Sequence, residues 1–238
     1  MNVDDDPSPG PEPVMIRVLS NVLNAAELQA VRELLPQVRF GDGRITNPDS
    51  NVKRNLQAPQ EDPANTRIAQ LARDALIRHP DVRIFAQPRT LARATVVRYE
   101  PGMTYGWHVD EALFPSTPPI RSDLSCTIFL NSPADYDGGE LTIQLGAQEL
   151  AYKLDAGDAI LYPSTTIHQV APVTRGQRIA AITWLHSWIA DTSQRELLIQ
   201  LEEARALVAS GAAGAANPRL RVLLESLKTN LFRMWADT

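Results

Sequence analysis

The sequence predicts an α+β protein with a mainly β core: a double-stranded β-helix, or cupin-like jelly roll, between supporting N-terminal helices and a C-terminal helical extension. Three observations support this fold class. From Leu91 to about residue 190, short β-branched and aromatic runs are broken by Gly, Pro and Asp at regular intervals. Before and after this stretch, apolar residues recur at helical spacing instead. A succession of short strands suits a jelly roll, whose mouth is a recurrent ligand site.

The chain begins with a tail that we expect to be disordered. Residues 1–13 contain four acidic residues and four prolines, with almost nothing apolar. A segment of this composition cannot bury enough apolar surface to offset the entropy lost on ordering it.

Residues 14–90 are predicted to form a helical and loop region that packs on the core. Asn24 and Glu27 make a capping-box pattern at the start of a first helix. A second helix has Asp62 as its N-cap and a proline at its first position, and it ends at His79, before another proline.

Residues 91–190 are predicted to form the jelly-roll core. Within this range, runs of β-branched and aromatic residues bounded by turn formers indicate strands. The predicted strands are residues 95–99, 125–130, 140–145, 150–154, 159–162, 168–173 and 179–185.

Residues 191–238 are predicted to form the C-terminal helical extension. Residues 193–208 are rich in helix formers, and residues 210–218 have the Gly and Ala content of a linker. An amphipathic stripe follows, made of Leu220, Leu223, Leu224, Leu227, Leu231 and Met234. We expect this stripe to contact the jelly roll, and a homodimer interface is the competing interpretation.

Bulk composition excludes several classes of function. A net charge of −5 and a pI near 5.4 argue against a nucleic-acid surface or a binder of anionic membranes, which need clustered Lys and Arg. The sequence has no apolar run of about 18 residues, and its acidic N-terminus does not resemble a signal peptide, so we expect a cytoplasmic protein. The single cysteine, Cys126, stands in an apolar run and is expected to be a small buried hydrophobe.

The chemistry-bearing residues lie within the predicted core. His108 and Asp110 are two residues apart, so an extended strand presents both side chains on one face. His168 lies far enough along the chain for several antiparallel strands to intervene before one returns beside the first. Two imidazoles and one carboxylate on one side of a metal form the facial triad of non-haem Fe(II) oxygenases.

Arg178 opens the last predicted strand of the core. Arginine suits a planar carboxylate because its rigid fork donates two parallel hydrogen bonds and stays charged at physiological pH. If this strand lies beside the metal strands, Arg178 anchors the far carboxylate of a dicarboxylic acid whose near end chelates the metal.

These residues belong to a longer motif. It reads Tyr99-x-x-Gly102-x-x-Tyr105-x-x-His108-x-Asp110, then Gly138-Gly139-Glu140-Leu141, Gly157-Asp158, His168 and Arg178. The combined motif resembles that of the prolyl-4-hydroxylase-related Fe(II)/2-oxoglutarate dioxygenases, and more closely that of their bacterial branch, the PKHD-type hydroxylases. The resemblance extends from about Val14 to the end of the chain.

The resemblance implies a function and a ligand set. His108, Asp110 and His168 would ligate Fe(II), and Arg178 would bind the distal carboxylate of 2-oxoglutarate. The enzyme would use O2 to hydroxylate an unactivated C–H bond, with succinate and CO2 as coproducts and L-ascorbate as a reductant for oxidised enzyme. Related halogenases lack the carboxylate at the position of Asp110, so its presence implies hydroxylation.

One position departs from the pattern of animal prolyl hydroxylases. Those enzymes often have a tyrosine just before the pair equivalent to Leu130-Asn131, where it contributes a hydroxyl to the cosubstrate. Phe129 stands here and has no hydroxyl. We expect Tyr99 to supply the second polar anchor.

Two loops carry the candidate substrate residues. The polar stretch 41–60 includes Arg54 and Asn55, and its composition favours a solvated loop. The family resemblance implies instead that Arg54 and Asn55 lie at the active site. Tyr105 precedes the first ligand, and Arg121 ends a proline-rich stretch that is either a cover over the pocket or a plain connection.

The substrate class stays open at this stage. A small molecule, an amino acid, a peptide or a protein residue are all compatible with the sequence, and the resemblance implies a link to iron and siderophore uptake. Another cupin-type metalloenzyme is a second hypothesis, although it would not need Arg178. A third is a non-catalytic iron- and 2-oxoglutarate-responsive binding protein, which would bind the cosubstrate without turnover.

Overall fold

The computed structural model describes residues 16–210 and 218–237. Its helices are α1 Ala25–Leu34, α2 Pro63–Arg78, α3 Pro80–Phe85, α4 Thr192–Ser210 and α5 Pro218–Trp235. Its strands are β1 Arg17–Leu19, β2 Gly41–Asp42, β3 Lys53–Arg54, β4 Leu56–Gln57, β5 Pro88–Leu91, β6 Thr95–Tyr99, β7 Thr104–His108, β8 Leu113–Phe114, β9 Ile120–Arg121, β10 Leu124–Phe129, β11 Tyr136–Gly138, β12 Leu141–Leu145, β13 Gln148–Tyr152, β14 Ala159–Pro163, β15 His168–Val170, β16 Val173–Gly176 and β17 Arg178–Ser187.

Two antiparallel sheets face each other, as the sequence predicts. The larger sheet has the order β1-β14-β10-β17-β6-β4-β2, with β5 also paired to β17. The smaller sheet has the order β13-β12-β15-β7-β3. Strands that are distant in sequence are neighbours in both sheets, which is the double-sheet arrangement of a jelly roll. The predicted fold class is therefore confirmed.

Both faces of the larger sheet are buried. The alternating side chains of β10 show which part of the protein packs against each face. Cys126 and Ile128 belong to the apolar cluster that includes the helices α1, α2 and α3. Phe129 belongs to a second cluster, shared with Ile143 of the smaller sheet. Because side chains alternate across a strand, Ser125 points the same way as Phe129, into the space between the sheets.

The N-terminal helices begin where the sequence predicts. Asn24 accepts from the backbone of Glu27, and the Glu27 side chain accepts from the Asn24 backbone, which completes the capping box. The Asp62 carboxylate caps α2 by accepting from the backbone N–H of Asn65 at 2.9 Å. After α2 ends, His79 is followed by the additional short helix α3, which the sequence analysis did not predict.

Most predicted strands are confirmed to within two residues, but one is wrong. The predicted strand 168–173 is two strands, β15 and β16, which belong to different sheets. The proline at position 172 lies between them, and it has no backbone N–H to donate to a continuous ladder. The predicted tail, and nearly all of the predicted linker, lie outside the described residues.

The two C-terminal helices differ in how they pack. Helix α4 buries Leu198 and Ile199 against the body of the protein. Helix α5 lies on α4 and has no buried residue, and Leu223 and Leu227 are each 49% exposed. The expectation that its apolar stripe contacts the jelly roll is therefore wrong, because α4 is what α5 packs against. A homodimer through this stripe stays a prediction. No helix in the described ranges is long and apolar enough to cross a membrane.

The cap of α2 gives a test of the fold. Asp62→Ala removes the acceptor for the Asn65 backbone N–H, and such losses lower the free energy of unfolding by about 0.5–2 kcal/mol. Glu61→Ala is the matched control, because Glu61 is an exposed acidic neighbour. Urea unfolding of both variants measures the difference, and equal stability would contradict a capping role for Asp62.

Candidate active site

Three ligand-type side chains converge at the open end of the smaller sheet. His108 ends β7 and lies directly opposite His168, the first residue of β15. Asp110 follows β7, and its carboxylate oxygens lie 3.9 Å from His108 Nε2 and 3.7 Å from His168 Nε2. One ligand atom from each residue falls within 4.8 Å of the other two, so a single metal ion fits among them.

Both imidazoles are oriented by backbone carbonyl groups. His108 Nδ1 lies 2.8 Å from the carbonyl oxygen of Gly106, and His168 Nδ1 lies 2.9 Å from that of Thr166. A carbonyl oxygen can only accept, so each Nδ1 carries the proton and each Nε2 keeps its lone pair. This is how metal-ligating histidines are usually held.

The environment also favours the neutral form of His108. Burial, together with the positive charge that His168 would carry, lowers the pKa of His108 to about 4. The residue is therefore uncharged at neutral pH, which is the form that ligates a metal. The Tyr105 ring stacks on the His108 ring, with centroids 3.5 Å apart, and the Tyr162 edge meets His168 at 5.0 Å.

The larger sheet supports the carboxylate ligand. The Ser125 hydroxyl donates to Asp110 Oδ2, and Ser164 Oγ lies 2.9 Å from Ser125 Oγ. Ser125 is on β10 and Ser164 follows β14, both in the larger sheet, whereas Asp110 follows β7 of the smaller sheet, so the two sheets meet through the contact between Ser125 and Asp110. The sequence analysis did not predict either role. The available signal was a serine at an inward-facing position of a largely apolar strand.

Arg178 is the largest fully buried side chain, with 1% of it exposed. Its guanidinium carbon lies 5.3 Å from the Tyr99 ring centroid and 5.4 Å from that of Phe129. Among the described residues Arg178 makes no ion pair, and its Nε has no hydrogen-bond partner. An unpaired buried charge is costly. This pocket therefore has the electrostatics of an anion site.

Tyr99 lies directly opposite Arg178 in the pairing of β6 with β17. Burial raises the pKa of Tyr99 to about 12, and the positive charge of Arg178 and a hydrogen bond from Asn55 act against this rise. The hydroxyl therefore stays protonated and can donate. Asn55 is 4% exposed, and its side-chain oxygen has no hydrogen-bond partner within the described part of the chain. The side chains of Asn55, Tyr99 and Arg178 therefore lie close together in the structure.

The strand β3 presents Lys53 rather than Arg54 to the interior. Lys53 is 6% exposed, whereas Arg54 is exposed on the opposite side of the strand. The Lys53 ammonium donates to Thr46 Oγ1 at 2.9 Å and to Gln57 Oε1 at 3.3 Å. It also lies 5.4 Å from the centroid of the Tyr105 ring. The sequence analysis named Arg54 and did not select Lys53, because it had no register for so short a strand. A substrate contact for Arg54 stays a prediction.

Two other predicted substrate residues are already engaged. The Tyr105 hydroxyl accepts from Asn47 at 3.4 Å while its ring stacks on His108, so Tyr105 packs on the metal site. Arg121 pairs with Asp123 and with Asp237, each at 2.7 Å, and so ties the β8–β9 hairpin to the end of the chain. These two carboxylates pair with its guanidinium, and a substrate contact for Arg121 stays a prediction.

Comparisons with known proteins cover the segment that contains this site. The family model described as the 2OG-Fe(II) oxygenase superfamily matches residues 94–186, which include the three ligand-type residues and Arg178. A PKHD-type hydroxylase of Sphingopyxis alaskensis is 42% identical over 218 residues, covering 91% of this chain and 98% of the relative. The chain belongs to the PKHD-type hydroxylases. A relative from Acaryochloris marina is 39% identical and covers 94% of this chain and 100% of its own length.

Solved structures share the fold of this PKHD-type hydroxylase. A prolyl hydroxylase from Trichoplax adhaerens, in complex with a hypoxia inducible factor peptide fragment, has a TM-score of 0.52 at 16% identity and covers 77% of this chain and 86% of its own. HygX from Streptomyces hygroscopicus, with nickel and 2-oxoglutarate bound, has a TM-score of 0.51 at 16% identity, with coverages of 74% and 84%. At these identities the likeness shows the fold alone.

Family membership makes the protein an oxidoreductase that depends on Fe(II), 2-oxoglutarate and O2. The described residues fit these groups. Two Nε2 lone pairs and one carboxylate converge as iron requires, and a buried cation without a counter-ion fits a dicarboxylate.

The hydroxyl that supports Asp110 gives a test of the metal centre. Ser125→Ala removes a hydrogen bond to the carboxylate ligand, and losses of this kind weaken metal binding by about 10- to 100-fold. Ser193→Ala makes the same chemical change at an exposed position and should leave affinity unchanged. Competition titrations with Co(II) measure the metal affinity of both variants. Unaltered affinity in Ser125→Ala would contradict the supporting role.

Proposed function

We propose that this PKHD-type hydroxylase uses His108, Asp110 and His168 to hold Fe(II) and Arg178 to hold 2-oxoglutarate, and that it hydroxylates an unactivated C–H bond of a small molecule, amino acid or peptide. The observation that carries the proposal is the buried Arg178 guanidinium, which has no carboxylate partner among the described residues. A metal site alone would not require such a group.

Each residue has a distinct part in the proposed reaction. When bound, Fe(II) supplies the activation of O2 that converts 2-oxoglutarate to succinate and CO2 and oxidises a substrate C–H bond to an alcohol. His108, Asp110 and His168 would hold Fe(II) through three donors, as in a facial triad, and the cosubstrate and O2 would bind at the remaining positions. Arg178 pairs with the distal carboxylate and so orients the cosubstrate. The stacked ring of Tyr105 covers one face of His108 and limits the access of water.

The substrate class and the cellular role are part of the same proposal. We propose a siderophore or a siderophore-derived peptide as one plausible substrate, because the family resemblance links these enzymes to iron uptake. L-ascorbate is proposed to restore enzyme that has oxidised without substrate. The reaction is placed in the cytoplasm, and nucleic acid is not expected as a partner since the net charge is −5.

The non-catalytic hypothesis makes a different prediction. A binding protein that responds to iron and 2-oxoglutarate would bind both groups and release no succinate. A Zn- or Mn-dependent cupin-type enzyme would not need an arginine buried beside its metal site, so the position of Arg178 argues against it. Succinate release therefore separates the proposed hydroxylase from both alternatives.

Loss of the metal ligands should abolish turnover. Asp110→Ala and His168→Ala each remove one of three donors, and the protein should then release no succinate from 2-oxoglutarate above background. Succinate is measured under O2 with added Fe(II), ascorbate and a panel of siderophores, amino acids and peptides. Wild-type activity in either variant would contradict the assignment of these ligands.

Loss of Arg178 should act on the cosubstrate instead. Arg178→Ala removes a charge-assisted pair of about 2 to 4 kcal/mol, so the 2-oxoglutarate concentration needed for half-maximal turnover should rise by about 30-fold or more. Arg175→Ala is the matched control, because Arg175 lies nearby on β16 but is exposed and pairs with Asp137. An equal effect in the two variants would contradict a specific role for Arg178.

A further inference from the structure

Tyr136 has a buried hydroxyl that nothing in the described structure satisfies. It is the first residue of β11 and is 1% exposed, and its hydroxyl has no hydrogen-bond partner. Buried polar groups are nearly always paired, and each exception needs an explanation. An aromatic ring needs no hydroxyl for packing, so the position of this oxygen suggests that it meets a ligand.

The unsatisfied hydroxyl lies beside the unsatisfied arginine. A Cβ atom at Gly139 would be 3.2 Å from Arg178 Cδ and also 3.2 Å from Tyr136 Cε2, so both side chains line the same small space. Burial raises the pKa of Tyr136, and the positive charge of the nearby Arg178 guanidinium opposes the rise. At neutral pH the Tyr136 hydroxyl therefore carries its proton and is a donor.

Lys153 also contacts Tyr136 and holds its ring in place. Lys153 Nζ donates to the Tyr136 carbonyl oxygen at 2.7 Å and lies 4.2 Å from the centroid of the ring. Gly139 has a φ of +67°, and any side chain there would also press on Val173 at 3.0 Å. The glycine thus provides the space in which the tyrosine ring and the arginine stem approach each other.

Phe129 also lies beside the Arg178 guanidinium, but its side chain cannot donate a hydrogen bond. Its ring lies 5.4 Å from the Arg178 guanidinium carbon and is fully buried, but it has no hydroxyl. Tyr136 approaches the same guanidinium from β11, a strand outside the two main sheets. The guanidinium therefore has a ring without a hydroxyl near it on β10 and a tyrosine near it on β11.

We propose that the Tyr136 hydroxyl donates a hydrogen bond to the distal carboxylate of 2-oxoglutarate beside Arg178, in place of the hydroxyl that Phe129 lacks. This inference rests on the proposed function, because it assumes that 2-oxoglutarate occupies the pocket. Tyr99, on the strand next to Arg178, is then left free to contact another part of the cosubstrate.

Binding measurements with two ligands test the inference without turnover. The Ni(II)-loaded full chain is titrated by calorimetry with 2-oxoglutarate and with 2-oxopentanoate, which has the same chelating end but no distal carboxylate. Tyr136→Phe should weaken 2-oxoglutarate binding by about 10- to 100-fold, the usual range for a hydrogen bond to a charged group. Binding of 2-oxopentanoate should not change, and this also shows that the variant is folded.

A second variant supplies a hydroxyl from position 129 instead. In the Phe129→Tyr/Tyr136→Phe double variant, 2-oxoglutarate affinity should recover by at least fivefold over Tyr136→Phe. The inference is overturned if Tyr136→Phe binds 2-oxoglutarate as tightly as the wild type, or if it loses affinity equally for both ligands. If the wild-type protein itself binds 2-oxoglutarate no better than 2-oxopentanoate, the proposed function fails first.

Discussion

Arg178 is buried without a carboxylate partner among the described residues, and this is the constraint on which the rest of the site depends. Arg178 is at the start of β17, and Ala180 on the same face of that strand packs in a cluster with Val170 of the smaller sheet, so the Arg178 side chain lies between the sheets. The charge remains tolerable there because aromatic rings flank it and because a dicarboxylate can neutralise it. The flanking rings come from the two strands that pair with β17, Tyr99 from β6 and Phe129 from β10.

The metal centre depends on strand register in a comparable way. His108 and His168 face each other only because β7 and β15 pair in one register, and a slip by one residue would turn a histidine out of the site. The carboxylate of Asp110 is then held by Ser125 from the other sheet. The site therefore exists only when both sheets are assembled, and it is a product of the whole core.

The sequence predicted the parts of this site that depend on local periodicity and on the combined motif. His108 and Asp110 share a face because they are two residues apart, and Arg178 opens an apolar run. The sequence could not predict the partners set by cross-strand register. Ser125 supports Asp110, and Lys53 rather than Arg54 faces inward, only because of pairing between distant segments. The pairing of Arg121 with Asp237 could not be predicted either, because 116 positions separate the two residues.

The most direct test of the account is an anaerobic titration of the Fe(II)-loaded protein with 2-oxoglutarate, followed by admission of O2. The account predicts a weak visible charge-transfer band that saturates as the chelate forms, and then succinate once O2 is present. A properly metallated protein that shows neither the band nor succinate would contradict the joint assignment of the metal triad and the Arg178 pocket.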